Sequence, residues 1–467
     1  MTIERKSIDY VAEHERHGRV IDQGPFWFLG NFHFFTIAIG FIGPSMGLGF
    51  SQTTLAGALG ILFGTVFVAF HASQGAELGL PQMIQSRAQF GFRGVVIALV
   101  GALFTFVGFN VADTVLAAQG LAGMLGWNSA AVTIGAGLVA AALAIYGHDW
   151  LHKIFRWCFF VCLPLYTWLT LAILFGKVPV HHAAAGGFSW TAFAAQFAAS
   201  ASYNITYAPS VSDYSRYLPR KTSPRAIIGS VFVGASSSAI WLIALGAWLA
   251  TRLGESDGLV ALHDAGNAMQ AGFGIVMALA SVTALVATMG LNAYSGMLTV
   301  VTALNSLFGV QPGPRLRFAS IAGLAATWIA LTFSARGDAI ALLFDVLTIM
   351  LYLLVPWTAV NLVDYFFVRR GRYAITHLFI AGGIYGNWGM RGLGAYTIGF
   401  AATIPFGVLP GLYVGPAARA LGGIDVGWLV GLIVSGAMYL WFCRSLDLSR
   451  EESAIRESDA TLKRIAD

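Results

Sequence analysis

Between Gly94 and Gly126 the chain carries a single charged side chain, Asp113, near the middle of an otherwise apolar run. An ionised carboxylate at that depth in a bilayer costs about 2.5 to 3.5 kcal/mol on insertion scales, so an acid kept there is a functional-site candidate by default. Three roles fit it: a proton carrier, an acceptor for a substrate amino group, or a counter-ion to a cationic substrate. The structural alternative is a neutral acid bonded to a neighbouring helix. A second group stands in "WFLGNFHFF", residues 27–35, where Gly30, Asn31 and His33 interrupt an apolar run. His33 is a candidate titrating group beside Asp113. A helix opened at Gly30 to Phe35 would offer carbonyls to a cation and a half-helix N-terminus to a polar substrate. Alternatively, Asn31 and His33 bond neighbouring helices while Gly30 permits close packing. A third group is "YNITYAPSVSDYSRYLP", residues 203–219, with Asn204, Thr206 and Pro209 inside an apolar helix.

The elements that must position these residues follow from composition. The 467-residue chain is 57% hydrophobic and only 10% charged, with a mean hydropathy of +0.71. Soluble domains carry about a quarter charged residues, so this is the composition of an integral membrane protein. Twelve runs reach the roughly 20 residues that a helix needs to span hydrocarbon: 25–50, 53–74, 94–125, 129–146, 154–175, 193–211, 226–250, 270–302, 316–335, 339–366, 393–415 and 424–443. With the N-terminus inside, all Lys and Arg fall on the inner side except Lys177, Arg252, Arg336 and Arg419. That asymmetry places both termini in the cytoplasm of an inner or plasma-type membrane. The pI near 9 then reflects an anionic inner leaflet and not nucleic acid. Residues 1–24 lack a signal peptide's apolar core, and Cys158, Cys162 and Cys443 imply no disulfide framework.

The expected organisation is a cytoplasmic segment 1–24, a transmembrane domain 25–443 and a cytoplasmic tail 444–467. The first ten spans divide into two sets of five, about 25–175 and 193–366, with two extra helices over 393–443. Five spans per set puts the second set upside down, and the interrupted first and sixth spans are the leading members of the two sets. Matched interruptions of this kind point to the binding site of an inverted-repeat transporter. The fold class is therefore an all-α integral membrane protein with a five-plus-five inverted repeat and discontinuous first and sixth helices. Small-residue spacings such as Gly60 and Gly64 read as packing devices. Ser449 three residues before Glu452 reads as a capping box for a short surface helix. Asp213 and Arg216 suit an inner gate or a solvated helix end. Asp364 with Arg369 and Arg370 reads as a charged membrane boundary. His181 and His182 lack the partners of a metal site. Without a nucleophile motif, Walker loop or dinucleotide fingerprint in context, no enzyme is expected.

Several stretches together resemble one family. They are "IERKSIDYVAEHERHGRV" followed by "WFLGN", then "SDYSRYLP", "LNAYSG" and "VPWTAVNLVDYFFVRRGRY". From about residue 3 to residue 373 the chain looks like the purine and cytosine permease branch of the nucleobase:cation symporter family. The resemblance implies twelve spans and alternating access driven by a Na⁺ or H⁺ gradient. It places substrate contacts at His33, at Thr105, Phe109 and Asp113 on one face of the third span, at Tyr203, Asn204 and Tyr207 in the sixth, and at Thr288, Met289 and Asn292 in the eighth. Relatives often carry Trp where this chain has Phe109, and neutral side chains where it has Asp113 and His33. For a coupling cation the resemblance implies carbonyls of Leu29 and Phe32 with Ala284, Ala287 and Thr288.

A nucleobase is a flat ring edged with donors and acceptors, so its pocket needs aromatic faces and a few aimed polar groups. Phe109, Tyr203 and Tyr207 supply faces; Asn204, Thr105 and Asp113 reach an edge. Ala287 stands where a second cation-binding hydroxyl often lies, which leans the coupling ion towards H⁺, with Asp113 and His33 as carriers. The expected function is a symporter importing a nucleobase or related nitrogen heterocycle, with the bilayer, the heterocycle and the cation as its partners and no cofactor. The alternatives are a symporter of a cationic or vitamin-like compound on the same fold and, further off, an ion channel, for which no filter or charged ring is present.

Overall fold

A computed structural model describes residues 8–180, 186–335, 337–409 and 411–466. His181 and His182 lie outside the described residues. The chain is built almost wholly of helices: α1 Gln23–Gly30, α2 Phe34–Ile39, α3 Phe50–Leu78, α4 Val96–Leu125, α5 Ser129–Tyr146, α6 His148–Leu174, α7 Trp190–Ile205, α8 Ala208–Ser215, α9 Pro224–Leu253, α10 Gly258–Met269, α11 Phe273–Phe308, α12 Pro314–Ser334, α13 Ala339–Val363, α14 Met390–Thr403, α15 Gly427–Cys443 and α16 Ser449–Ala466. Among the described residues eight helices are individually long and apolar enough to cross a membrane, and the bent pair at the N-terminus makes a ninth. The ends follow local chemistry. Asn128, Asp257 and Asp338 accept first-turn amides of α5, α10 and α13, and α4 and α11 stop at Gly126 and Gly309, which take the left-handed conformation that a side chain disfavours.

The first span breaks where Gly30, Asn31 and His33 stand. The helical stretches Val20–Gly30 and Phe34–Ser45 meet at 61°, and His33 is extended, with φ −149° and ψ 171°. The sixth span differs from expectation. Thr206 and Tyr207 interrupt the helical ladder between α7 and α8, yet both keep right-handed helical backbone angles. Pro209 removes one donor, and the ladder tightens locally, with Ser210 N on Tyr207 O at 3.0 Å. The result is a pinch and not an opening.

Two other boundaries need correction. Residues 393–415 are helical only as α14 and a turn at Ile404–Phe406; after Gly407 the chain forms a small antiparallel ribbon of β1 Val408–Leu409 and β2 Tyr413–Val414. Pro405, Gly407 and Gly411 end the helix there. The tail helix α16 is capped by Asp447, whose carboxylate accepts both the amide (3.1 Å) and the hydroxyl (2.6 Å) of Ser449. Ser449 is thus inside the helix and not its cap. Nor is α16 a free surface helix, because Ala454, Ile455 and Leu462 are buried.

Close packing at glycines sets the helix positions. A Cβ on Gly60 or Gly64 would run into the carbonyls of Phe197 and Ala201 on α7, and one on Gly246 of α9 would strike the Ile37 carbonyl of α2. Thus α3 packs on α7, and α9 on the broken span, at backbone distance.

Candidate functional site

Backbone groups freed by the break must find partners in a medium without water. They find side chains from the sixth span and from the break itself. The Gly30 carbonyl accepts the Tyr207 hydroxyl at 3.1 Å, and the Asn31 carbonyl accepts the Thr36 hydroxyl at 2.7 Å. The Asn31 side chain adds to this, its Nδ2 donating to Asn204 Oδ1 at 2.9 Å and to the Ala235 carbonyl at 2.7 Å. Asn204 in turn donates to Thr65 Oγ1 at 2.5 Å. Further along, Gln196 of α7 accepts the Gly43 amide at 2.7 Å and donates to the Ile39 carbonyl at 3.2 Å. The interrupted segments thus hold each other in place.

Around the break stands an aromatic cluster. Phe35 stacks on Tyr203 with centroids 5.5 Å apart and meets the Phe109 ring edge-on at 5.2 Å. Phe109 is edge-on to Tyr203 at 6.3 Å. The Tyr203 hydroxyl is shared among Thr36 Oγ1 (2.7 Å), His33 Nε2 (3.1 Å) and Tyr207 Oη (3.2 Å). Asp113 lies on the same face of α4 as Phe109, one turn further, within electrostatic range of Tyr203 and Tyr207. It is 1% exposed, and its Oδ1 has no hydrogen-bond partner among the described residues. A buried acceptor left unpaired is costly, which singles out the point where a donor would be welcome.

The expected residues divide. His33, Phe109, Asp113, Tyr203 and Tyr207 come together. Thr105 is fully buried on the same helix, but its hydroxyl turns back to the Gly101 carbonyl at 3.1 Å. Asn204 does not point a free amide at a ligand, since both ends of its side chain are engaged by Asn31 and Thr65. Met289 is buried in a separate cluster between α4, α5, α11 and α12, and Asn292 is half-buried one turn along α11.

At the expected cation position the Leu29 carbonyl already accepts the amides of Asn31 and Phe32. Thr288 Oγ1 donates to the Ala284 carbonyl at 3.0 Å, and Ala287 offers no hydroxyl. The Phe32 ring is boxed by Phe28, Phe159, Tyr166 and Trp241 at 5.2 to 5.5 Å.

Sequence and structure comparisons fit this geometry. Residues 10–431 match the family described as permease for cytosine/purines, uracil, thiamine, allantoin. The chain belongs to this family. It is 33% identical over 442 residues to the putative purine-cytosine permease YxlA of Bacillus subtilis, covering 94% of this chain and 95% of that one. It is 26% identical to purine-cytosine permease FCY2 of Saccharomyces cerevisiae, covering 92% and 84%. In fold it is similar to Mhp1, a nucleobase-cation-symport-1 family transporter, in a closed conformation with bromovinylhydantoin bound, with a TM-score of 0.73 at 19% identity over 97% of this chain and all of that one. An inward-facing Mhp1 structure gives 0.71 at 18% identity over 97% of this permease and 98% of that chain.

Sequence reasoning missed Phe35, Thr36, Gln196 and Asn110. Phe35 and Thr36 look like ordinary span residues, and only the change of direction at His33 turns them towards Tyr203. Asn110 was legible as a polar residue in the same charge-poor span. Its amide donates to the Met289 carbonyl at 3.2 Å, tying α4 to α11, and its Oδ1 has no partner among the described residues.

Proposed function

We propose that this permease imports a purine, cytosine or a closely related nitrogen heterocycle by proton symport, with alternating access about the broken first span. One observation carries the reading. A helix broken inside the membrane, an aromatic cluster of Phe35, Phe109 and Tyr203, and the unpaired Oδ1 of buried Asp113, one turn from Phe109, converge on one place. Flat rings stack on such faces, and a carboxylate oxygen accepts an amino or ring N–H. The names of the relatives, purine-cytosine permeases in a bacterium and in yeast, agree with that class.

Proton coupling is favoured because several of the oxygens expected to hold Na⁺ are engaged or missing. A hard cation wants a full cage of oxygens, whereas here Leu29 and Ala284 accept hydrogen bonds and Ala287 contributes no side-chain oxygen. Asp113 and His33 serve as the proton carriers. Twelve spans in a five-plus-five inverted repeat, with α14 and α15 as the two added spans and both termini cytoplasmic, complete the proposal. The distribution of Lys and Arg supports that orientation in the plasma-type membrane.

The test is uptake of labelled cytosine, adenine and hypoxanthine into proteoliposomes. An inward proton gradient is expected to drive accumulation that a protonophore abolishes. Accumulation that follows an imposed Na⁺ gradient alone would overturn proton coupling, and no gradient-dependent uptake of any heterocycle would overturn the transport class.

A further inference from the structure

At the end of the molecule that bears both termini, the way towards the site is almost closed. Beneath Pro209 lies a chamber of about 20 Å³, lined among others by Ile8, Ile84, Phe106, Asp213 and Thr299, room for about one water. The N-terminal segment is stitched across this mouth. Val11 N bonds the Gly79 carbonyl at 2.9 Å, Gly18 N the Tyr217 carbonyl at 2.9 Å, and Arg16 the Ala76 carbonyl at 2.7 Å. Ile8 and Ile84, two of the chamber's walls, also belong to an apolar cluster completed by Ala454, Ile455 and Leu462 of the tail helix α16.

A buried polar chain ties the same helix to the same mouth. Glu451 of α16 accepts Arg369 Nε and Nη2, each at 2.9 Å. Arg369 Nη1 donates to Asp364 at 2.6 Å. Asp364, fully buried, also accepts Gln89 Nε2 (2.5 Å), Tyr373 (2.8 Å) and Tyr439 (2.9 Å). Gln89 lies in the short helix Arg87–Phe90, which follows Ile84 in the segment closing the chamber. This is far from the ordinary charged boundary that the sequence suggested for Asp364 and Arg369; only Arg370, with φ 50°, sits at the exposed turn.

We propose that α16 is a clamp on the inner mouth: Glu451, through Arg369 and Asp364, and the Ile455 and Leu462 face hold the Gln82–Phe90 segment and Ile8 over the chamber. The clamp must loosen whenever the mouth opens, so it sets the rate of opening and not the affinity of the central site. The inference rests on the alternating-access reading above.

A reporter thiol tests it. In the full-length protein with Cys158, Cys162 and Cys443 replaced, Thr299→Cys is labelled with a membrane-impermeant maleimide in inside-out vesicles. Glu451→Gln, and separately Ile455→Ala with Leu462→Ala, are expected to raise the labelling rate severalfold while the affinity for a transported heterocycle stays within about twofold of the parent. Glu452→Gln, which breaks only the exposed pair with Arg372, is the control and should leave the rate unchanged. Parent-like labelling in both clamp variants, with parent-like elution, overturns the proposal, as does an equal rise with Glu452→Gln. Should Glu451→Gln fail to insert, the alanine pair decides by the same criteria. Failure of transport in the parent would count against the permease reading, while thiol labelling would still report on the clamp.

Discussion

Asp113 and Phe109 share one face of a helix and differ in what they can give a ligand. The ring gives area and stacking, worth about 0.5 to 1.5 kcal/mol beyond burial. Phe109→Ala is therefore expected to raise the KM for uptake roughly two- to tenfold with little change in expression, and an unchanged KM would remove Phe109 from the site. Asp113 gives a charge that can be carried as a proton. In Asp113→Asn, gradient-driven accumulation should fall at least about tenfold, the ratio equivalent to ~1.4 kcal/mol, while exchange of labelled for unlabelled substrate survives. If exchange falls equally, the carboxylate is needed for substrate binding itself and the loss does not report on proton coupling. Asn204 separates from both. Because its amide is engaged by Asn31 and Thr65, Asn204→Leu should cost about 1 to 3 kcal/mol of stability, read as a lower melting temperature in detergent. Lost binding at an unchanged melting temperature would return Asn204 to the substrate-contacting residues.

For the helices, the decisive feature is how closely broken and intact backbones approach. Gly64 faces the Ala201 carbonyl without room for a methyl group, so Gly64→Val should cost at least about 1 to 3 kcal/mol and reduce the monodisperse fraction in size-exclusion chromatography. Parent-like folding of that variant would mean α3 and α7 can separate freely. The glycine spacing was visible in the sequence, as was the break at Gly30 to His33, since both depend on residue type alone. The sixth span was harder. Asn204, Thr206 and Pro209 mark a weak place, but whether a weak place opens depends on what its neighbours offer the freed groups. The first span opens because Tyr207 and Thr36 answer its freed carbonyls, while Asn204 holds the Asn31 side chain. At Thr206 and Tyr207 a local tightening satisfies the ladder and no opening is needed.

Across the whole molecule, the termini are part of the closure. The N-terminal segment bonds α3 and the sixth span, and α16 buries an apolar face and Glu451 against the segment after α13. Full-length protein in inside-out vesicles should expose any site cut by protease in these segments only slowly, and cleavage is expected to quicken in Glu451→Gln. Equal rates would indicate that the tail dissociates independently of its ion pair.

The sequence by itself determined the class of protein, the place of the first break and the acid at the centre of the third span, together with the family to which the chain belongs. These depend on hydropathy, on the conformational preferences of Gly and Pro and on short motifs, all of which are local. Only the tertiary structure decided which polar groups are spent on each other and which are left over. Asn204 looked as available as Asp113, and Asp364 like a plain charged boundary, until their partners from distant helices were in place. Hydrogen-bond satisfaction in a dry interior is a property of the assembled bundle, and no single stretch of chain contains it.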